Sequence, residues 1–241
     1  MSIATAIQAA QQKVADAYTA ASAKGATMPA TQNLSNLATT IGSISGGGGS
    51  KKYNLLDRVS DDSNNEIGTV VGFHIDANNV EYAVVCLDAA YRLASGKYLS
   101  NNVQVSGVPN YSDQTVYEAP ETATTNCDAI LATAQAQGLT SSAVSHCRAQ
   151  TFMIDSVSYA GQLPTLMELL KIFEHRTRVN TADSTTSQYS SLIVPTGTNC
   201  WSSTQYGSSN AWDLFSNGAT HYLNNKNNSY MVLPVLEIPN A

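Results

Sequence analysis

Apolar residues recur along this chain with two different periods, and the change falls near residue 50. Ile3, Ile7, Ala10, Val14, Ala17 and Ala21 are separated by alternate steps of four and three. That is the spacing of a coiled-coil seam with small knobs, sustained for about three heptads. Lys24-Gly25 closes the run with a cation and a C′ glycine. After Met28-Pro29, Thr31 can cap a second short helix that carries Leu34, Leu37, Ile41 and Ile44. Residues 1–45 thus predict a helical hairpin too small to bury its apolar face alone. It needs a partner protein or copies of itself, so a homo-oligomer, a trimer, is expected. Gly46-Gly47-Gly48-Gly49-Ser50 has the composition of a flexible linker, taken as 46–52. No Lys-Ser/Thr follows it at P-loop spacing, so it is no phosphate cradle.

From Tyr53 onward the period shortens toward two. Strands are predicted over 67–75 and 80–87, joined by the turn Asp76-Ala77-Asn78-Asn79. Another acidic turn, Asp61 to Asn65, precedes them. Neither turn has the calcium-loop pattern: Ile67 stands where a glycine is needed after Asp62, and Val80 where an oxygen ligand is needed after Asp76. A helix is expected from Asn126-Cys127-Asp128 to Gln137, closed by Gly138, then a helical turn over 142–148 and a strand over 152–159. Thr165 and Glu168 have the spacing of a capping box. Leu166, Leu169, Leu170 and Phe173 follow on one helical face, with His175 and Arg176 in the last turn, where cations suit the dipole. Residues 53–241 therefore read as one α+β domain.

Charged residues make up 12% of the 241, about half the usual share. A net charge of -6 offers no electrostatic footprint for nucleic acid or an anionic membrane. No apolar run approaches the ~20 residues that span a bilayer, and the N-terminus lacks the basic-then-apolar pattern of a secretion signal. Cys86, Cys127, Cys147 and Cys200 form no CxxC pair. Buried reduced thiols are the expected state, with a Cys127–Cys147 disulfide the alternative.

The densest pattern lies in Cys200 to Ile238. Trp201-Ser202-Ser203-Thr204, Ala211-Trp212, Gly218, Lys226 and Val232-Leu233-Pro234-Val235 alternate with Tyr, Ser, Gly, Asn, His and Asp residues. Tyr supplies contact area with few torsions to freeze, and Ser, Gly and Asn supply adaptable hydrogen bonds. WSST-x-Y-x5-W-x5-G-x7-K followed by V-x-P-V resembles the variable region of proteins diversified by diversity-generating retroelements, on a C-type lectin-like fold. Leu163-Pro164-Thr165 and Glu168-Leu169 resemble the start of that fold's second helix. Lys24 to Leu34 looks like an N-terminal segment of phage tail-associated proteins.

The resemblance implies a rigid scaffold whose outward residues are rewritten at adenines of a template copy. An AAC codon for Asn can become Tyr, Ser, Gly, Asp, His, Leu or Phe, but never Trp, Lys, Gln or Met. The implied contact residues are Tyr206, Gly207, Ser208, Ser209, Asn210, Asp213, Phe215, His221, Tyr222, Leu223, Asn225 and Tyr230. The implied scaffold residues are Trp201, Trp212, Gly218 and Lys226. The expected function is a hypervariable receptor-binding adhesin of a phage tail. It would sit in the virion, bind a bacterial surface protein or glycan, and join other tail proteins through residues 1–45. A variable protein displayed on a cell surface is the alternative. No nucleophile elbow, HExxH or dinucleotide turn is present, so no catalytic residue, metal or cofactor is expected. An enzyme related to formylglycine-generating enzymes is disfavoured, because Cys200 lacks a partner cysteine.

Overall fold

A computed structural model describes residues 3–23, 28–33, 35–37, 40, 52–76, 78–113, 115, 121–175, 196–216 and 220–240. The chain divides into two compact units, Met1–Lys52 and Tyr53–Asn240. In the first, α1 (Ile3–Ala23) spans the predicted seam. Tyr18 and Ala21 are buried, and the Tyr18 hydroxyl donates to the Asn33 carbonyl at 2.8 Å. Residues 35–37 and 40 are helical. Leu34, Ile41, Ile44 and the linker glycines lie outside the described residues.

The second unit is α+β. Its elements are β1 (Arg58–Ser60), β2 (Glu66–Ile75), β3 (Glu81–Leu87), β4 (Leu93–Lys97), α2 (Ala123–Ala136), α3 (Ser142–Ala149), β5 (Thr151–Ile154), β6 (Val157–Ala160), α4 (Leu166–Glu174), β7 (Asn199–Gln205), β8 (Asn210–Phe215), β9 (Thr220–Asn225), β10 (Ser229–Val232) and β11 (Val235–Pro239). One sheet has the order β1-β2-β3-β11, a second β4-β10-β7-β8-β9, and β5-β6 form a hairpin. The last strand of the unit thus returns to pair with β3, from Val235 opposite Cys86 to Pro239 opposite Tyr82. The Arg58 guanidinium grips the buried Asp88 carboxylate with two bonds, 2.8 and 2.6 Å, the planar fork that suits arginine.

Local chemistry sets the helix starts. Thr165 accepts from Glu168 N at 3.2 Å and Glu168 Oε2 accepts from Thr165 N at 2.8 Å, completing the capping box. A second reciprocal cap, between Thr122 and Thr125, starts α2 at Ala123 rather than at the expected Asn126. The single strand expected over 152–159 is instead a hairpin. Asp155 and Ser156 take φ of 49° and 63°, the left-handed pair that a two-residue hairpin turn requires.

The five-stranded sheet separates two cores. Trp212, Cys200 and Leu214 pack with Leu166, Leu169 and Ile172 of α4. Trp201, Ala211 and Val232 pack with Ile130 of α2, Val144 of α3 and Tyr98. All four cysteines are buried and free.

Candidate ligand-binding face

The WSST segment is built into the protein on every side. The Trp201 indole donates to the Gly96 carbonyl at 3.0 Å, and the Ser202 hydroxyl to the Trp212 carbonyl at 2.7 Å. Ser203 N donates to Pro164 O at 2.7 Å, and Leu166 N to the Thr204 hydroxyl at 2.8 Å. The register of β7 on β8 shifts between Trp201 and Gln205, and the extra residues are those that meet the start of α4. Thr204 in turn donates to Glu121, whose carboxyl is pushed up to about 7 by burial.

Gln205 and Lys226 tie the strand ends together. The wholly buried Gln205 donates to the Val108 carbonyl at 2.9 Å and accepts from Val105 N at 2.8 Å. The Lys226 ammonium donates to the carbonyls of Val103 and Gly207, both at 2.8 Å, to Ser208 O at 3.2 Å, and to Gln205 Oε1. An ammonium has three protons, so these four acceptors share them. Burial pulls its pKa down to about 7. Lys226 thereby holds the carbonyls of the turn that joins β7 to β8.

Register decides which of the sequence-derived contact residues share a surface. Partners opposite one another in adjacent strands lie on one face, and faces alternate along a strand. Asn210 pairs with Asn225, Trp212 with Leu223, and Leu214 with His221. Tyr206 lies edge-on to Trp212 at 5.6 Å and His221 is tilted against it at 5.1 Å. Tyr206, Asn210, His221, Leu223 and Asn225 therefore gather on the Trp212 face. Asp213 and Tyr222 lie on the other, where Tyr222 meets Phe215 edge-on at 6.3 Å. Gly207, Ser208 and Ser209 form the turn between β7 and β8. β9 is an edge strand with exposed side chains on both faces: Tyr222 is 47% exposed and Leu223 37%.

Two expected contacts are placed otherwise. Asp213 is fully buried, accepting from Asn224 at 2.7 Å and from Asn199. Burial pushes its pKa up to about 6. It is a framework group in the sheet rather than an outward one, held on either side by the amides of Asn199 and Asn224. Tyr230 is half-buried against Trp201, with ring centroids 4.8 Å apart, and accepts from Asn228 at 3.2 Å. Gly218 lies outside the described residues.

A separate group has no signature in the sequence. His74 of β2, Glu168 of α4 and Glu237 of β11 meet beside a cavity of about 390 Å³. Burial and then the Glu168 charge push the Glu237 carboxyl up to about 7. Each of the three had a local explanation, as turn-edge histidine, capping glutamate or strand residue. Their meeting depends on pairing between distant segments.

No family model matches the chain, and no curated protein matches it. Among solved structures, a fimbrial protein from Bacteroides ovatus is similar, with a TM-score of 0.54 and 13% identity over 77% of this chain. The match covers 49% of that protein, so this chain spans about half its length. At this identity the likeness is one of fold. No helix among the described residues is long and apolar enough to cross a membrane. The fold and site together define an α+β domain that offers a polar and aromatic sheet edge over a hydrogen-bonded frame.

Proposed function

We propose that the chain is a receptor-binding adhesin whose C-terminal unit is C-type lectin-like and whose contact residues are diversified. The observation that carries this reading is the division of residues 201–226. Trp201, Trp212, Gln205 and Lys226 are buried and bonded to backbone, while Tyr206, Ser208, Tyr222, Leu223 and Asn225 are exposed over them. Outward residues on such a frame can be exchanged with little effect on folding. The mechanism is binding without bond chemistry. Burial pushes the Cys200 thiol up to about 12, which leaves almost no thiolate to act as a nucleophile at neutral pH.

In this reading the protein is carried on a phage tail, residues 1–45 join it to sister chains as a trimer or to other tail proteins, and the target is a bacterial surface protein or glycan. Single sites on a shallow polar face bind weakly, and repetition raises apparent affinity. A cell-surface adhesin is the second reading, favoured by the fold shared with a fimbrial protein. The test replaces Tyr206, Tyr222 and Leu223 together by Ser. Attachment to target cells per folded molecule should fall at least tenfold, at about 1–2 kcal/mol per aromatic or apolar anchor, with the melting temperature nearly unchanged. Loss of folding with attachment per folded molecule intact would reverse the proposed roles. A flanking template repeat that differs at the Trp201, Trp212 and Lys226 codons would reject the diversification scheme.

A further inference from the structure

We propose that His74, Glu168 and Glu237 hold one divalent first-row metal ion, zinc by their donor set, in the wall of the cavity beside β2 and α2. The three side chains come from three elements, and one ligand atom from each lies within 4.8 Å of the others. Nδ1 of His74 is 3.4 Å from Glu168 Oε1, and Nε2 is 3.5 Å from Glu237 Oε1. Zinc bonds to imidazole nitrogen and carboxylate oxygen are about 2.0–2.2 Å, which sets tetrahedral donors roughly 3.3–3.5 Å apart. One ion can take only one nitrogen of His74, so one His74–glutamate pair already has that separation, and rotation of the glutamates brings in the third donor, all three lying within 4.8 Å of one another.

A second observation points to a missing ligand. Glu168 is 2% exposed, and its Oε1, buried and aimed at the histidine, makes no hydrogen bond. His74 Nε2 is likewise buried without one. The other oxygen of Glu168 is occupied by Thr165 N at 2.8 Å. Glu237 is held in place by Ala123 N at 3.0 Å, Thr124 N at 2.9 Å and the Thr124 hydroxyl. These bonds orient the carboxylate as outer-shell partners orient a metal ligand, and a carboxylate has lone pairs left for an ion.

Charge points the same way. Glu168 and Glu237 face opposite nitrogens of His74, so the group gathers two carboxylates around one ring and calls for a cation. The neighbouring ammonium, Lys171, donates instead to the Phe73 carbonyl. Two carboxylates kept from water need a cation between them, a place that the His74 imidazolium or a divalent ion can fill. A divalent ion accepts all three lone pairs, and the free ring nitrogen then carries the proton toward the remaining carboxylate oxygen. His74 and Glu237 both line the cavity, with Asp76, Asn78, Tyr82, Thr122, Thr124 and Thr125. A fourth, exchangeable ligand such as water or a ligand carboxylate or hydroxyl can enter from there.

The experiment uses the full chain, stripped with chelator and titrated with zinc chloride by calorimetry and with cobalt(II) by visible absorption. One equivalent per chain is expected, with the d–d bands of a four- or five-coordinate cobalt ion. His74→Phe keeps a ring to stack on Tyr82, 5.3 Å away. It and Glu237→Gln should each weaken zinc binding by tenfold or more, at or beyond the range found for outer-shell partners, whereas Tyr82→Phe should not. Should either variant misfold, the wild-type cobalt spectrum still reports the donors. A folded wild-type chain that takes up neither metal would overturn the proposal and leave His74 as an imidazolium between two carboxylates. Equal zinc affinity in folded His74→Phe would overturn it too. No receptor enters the measurement, so its outcome is independent of the adhesin reading.

Discussion

Replacing Lys226 by Met separates its hold on the β7–β8 turn from its contribution to stability. Methionine keeps most of the buried stem and removes every donor. Gln205 Oε1 retains its bond from Val105 N at 2.8 Å, and the carbonyls of Gly207 and Ser208 sit in a turn that water can reach. Val103 O also loses its donor, and one such loss in a half-buried place costs about 1–3 kcal/mol. Relief from burying an ammonium whose pKa is drawn down to about 7 offsets part of it. A net loss of about 1–2 kcal/mol is expected, or roughly 2–8 °C in melting temperature for a unit of this size. The turn itself loses two anchors at about 1–1.5 kcal/mol each. The Gly207 amide, bonded to Asn210 O at 3.2 Å, should therefore exchange its hydrogen roughly 30- to 140-fold faster, at 1.4 kcal/mol per tenfold. Hydrogen exchange resolved to residues 206–210, beside urea unfolding, measures both quantities. Unchanged exchange in the turn together with a global loss beyond about 4 kcal/mol would show that Lys226 supports the core and not the turn.

Asp213 titrates in the folded protein near 6 rather than 3.8. Between those values the folded chain holds a proton that the unfolded chain has released, so stability rises as pH falls through that window. The shift corresponds to about 3 kcal/mol. Asp213→Asn should flatten the urea-unfolding profile between pH 6 and pH 4, and an unaltered slope would contradict the burial of this carboxylate. Glu121, raised to about 7, should add the same sense of dependence from about pH 7 down to about 4.5, removed by Glu121→Gln. Thr165→Ala removes the acceptor for Glu168 N and should cost about 1 kcal/mol in chemical denaturation; no loss would mean that the cap is dispensable. A thiol-specific disulfide reagent should leave Cys86, Cys127, Cys147 and Cys200 untouched in the native protein and label all of them in denaturant, since each is buried and free. Rapid native labelling of Cys200 would reopen an enzymatic role.

Features encoded by neighbouring residues were legible in the chain. The Thr165–Glu168 cap, the helix that follows it and the paired strands β2 and β3 each rest on a few adjacent positions. The turn at Asp155-Ser156 was not, because neither residue is the glycine or asparagine that usually announces a left-handed pair. Nor did the alternation of Tyr, Asn and Ser over 206–230 say which residues share a face. One register step moves a side chain to the opposite side of a sheet, and the pairing of β8 with β9 lies between segments, not within one.

The sequence alone determined a helical N-terminal segment, an α+β remainder and a C-terminal stretch in which packing residues alternate with polar ones. Tertiary structure alone decided that Asp213 is buried and that Tyr222 and Leu223 lie on opposite faces of an edge strand. It alone brought His74 to Glu168 and Glu237. Periodicity and capping are short-range properties of the chain, whereas burial and the meeting of distant charges follow from how strands pair across it.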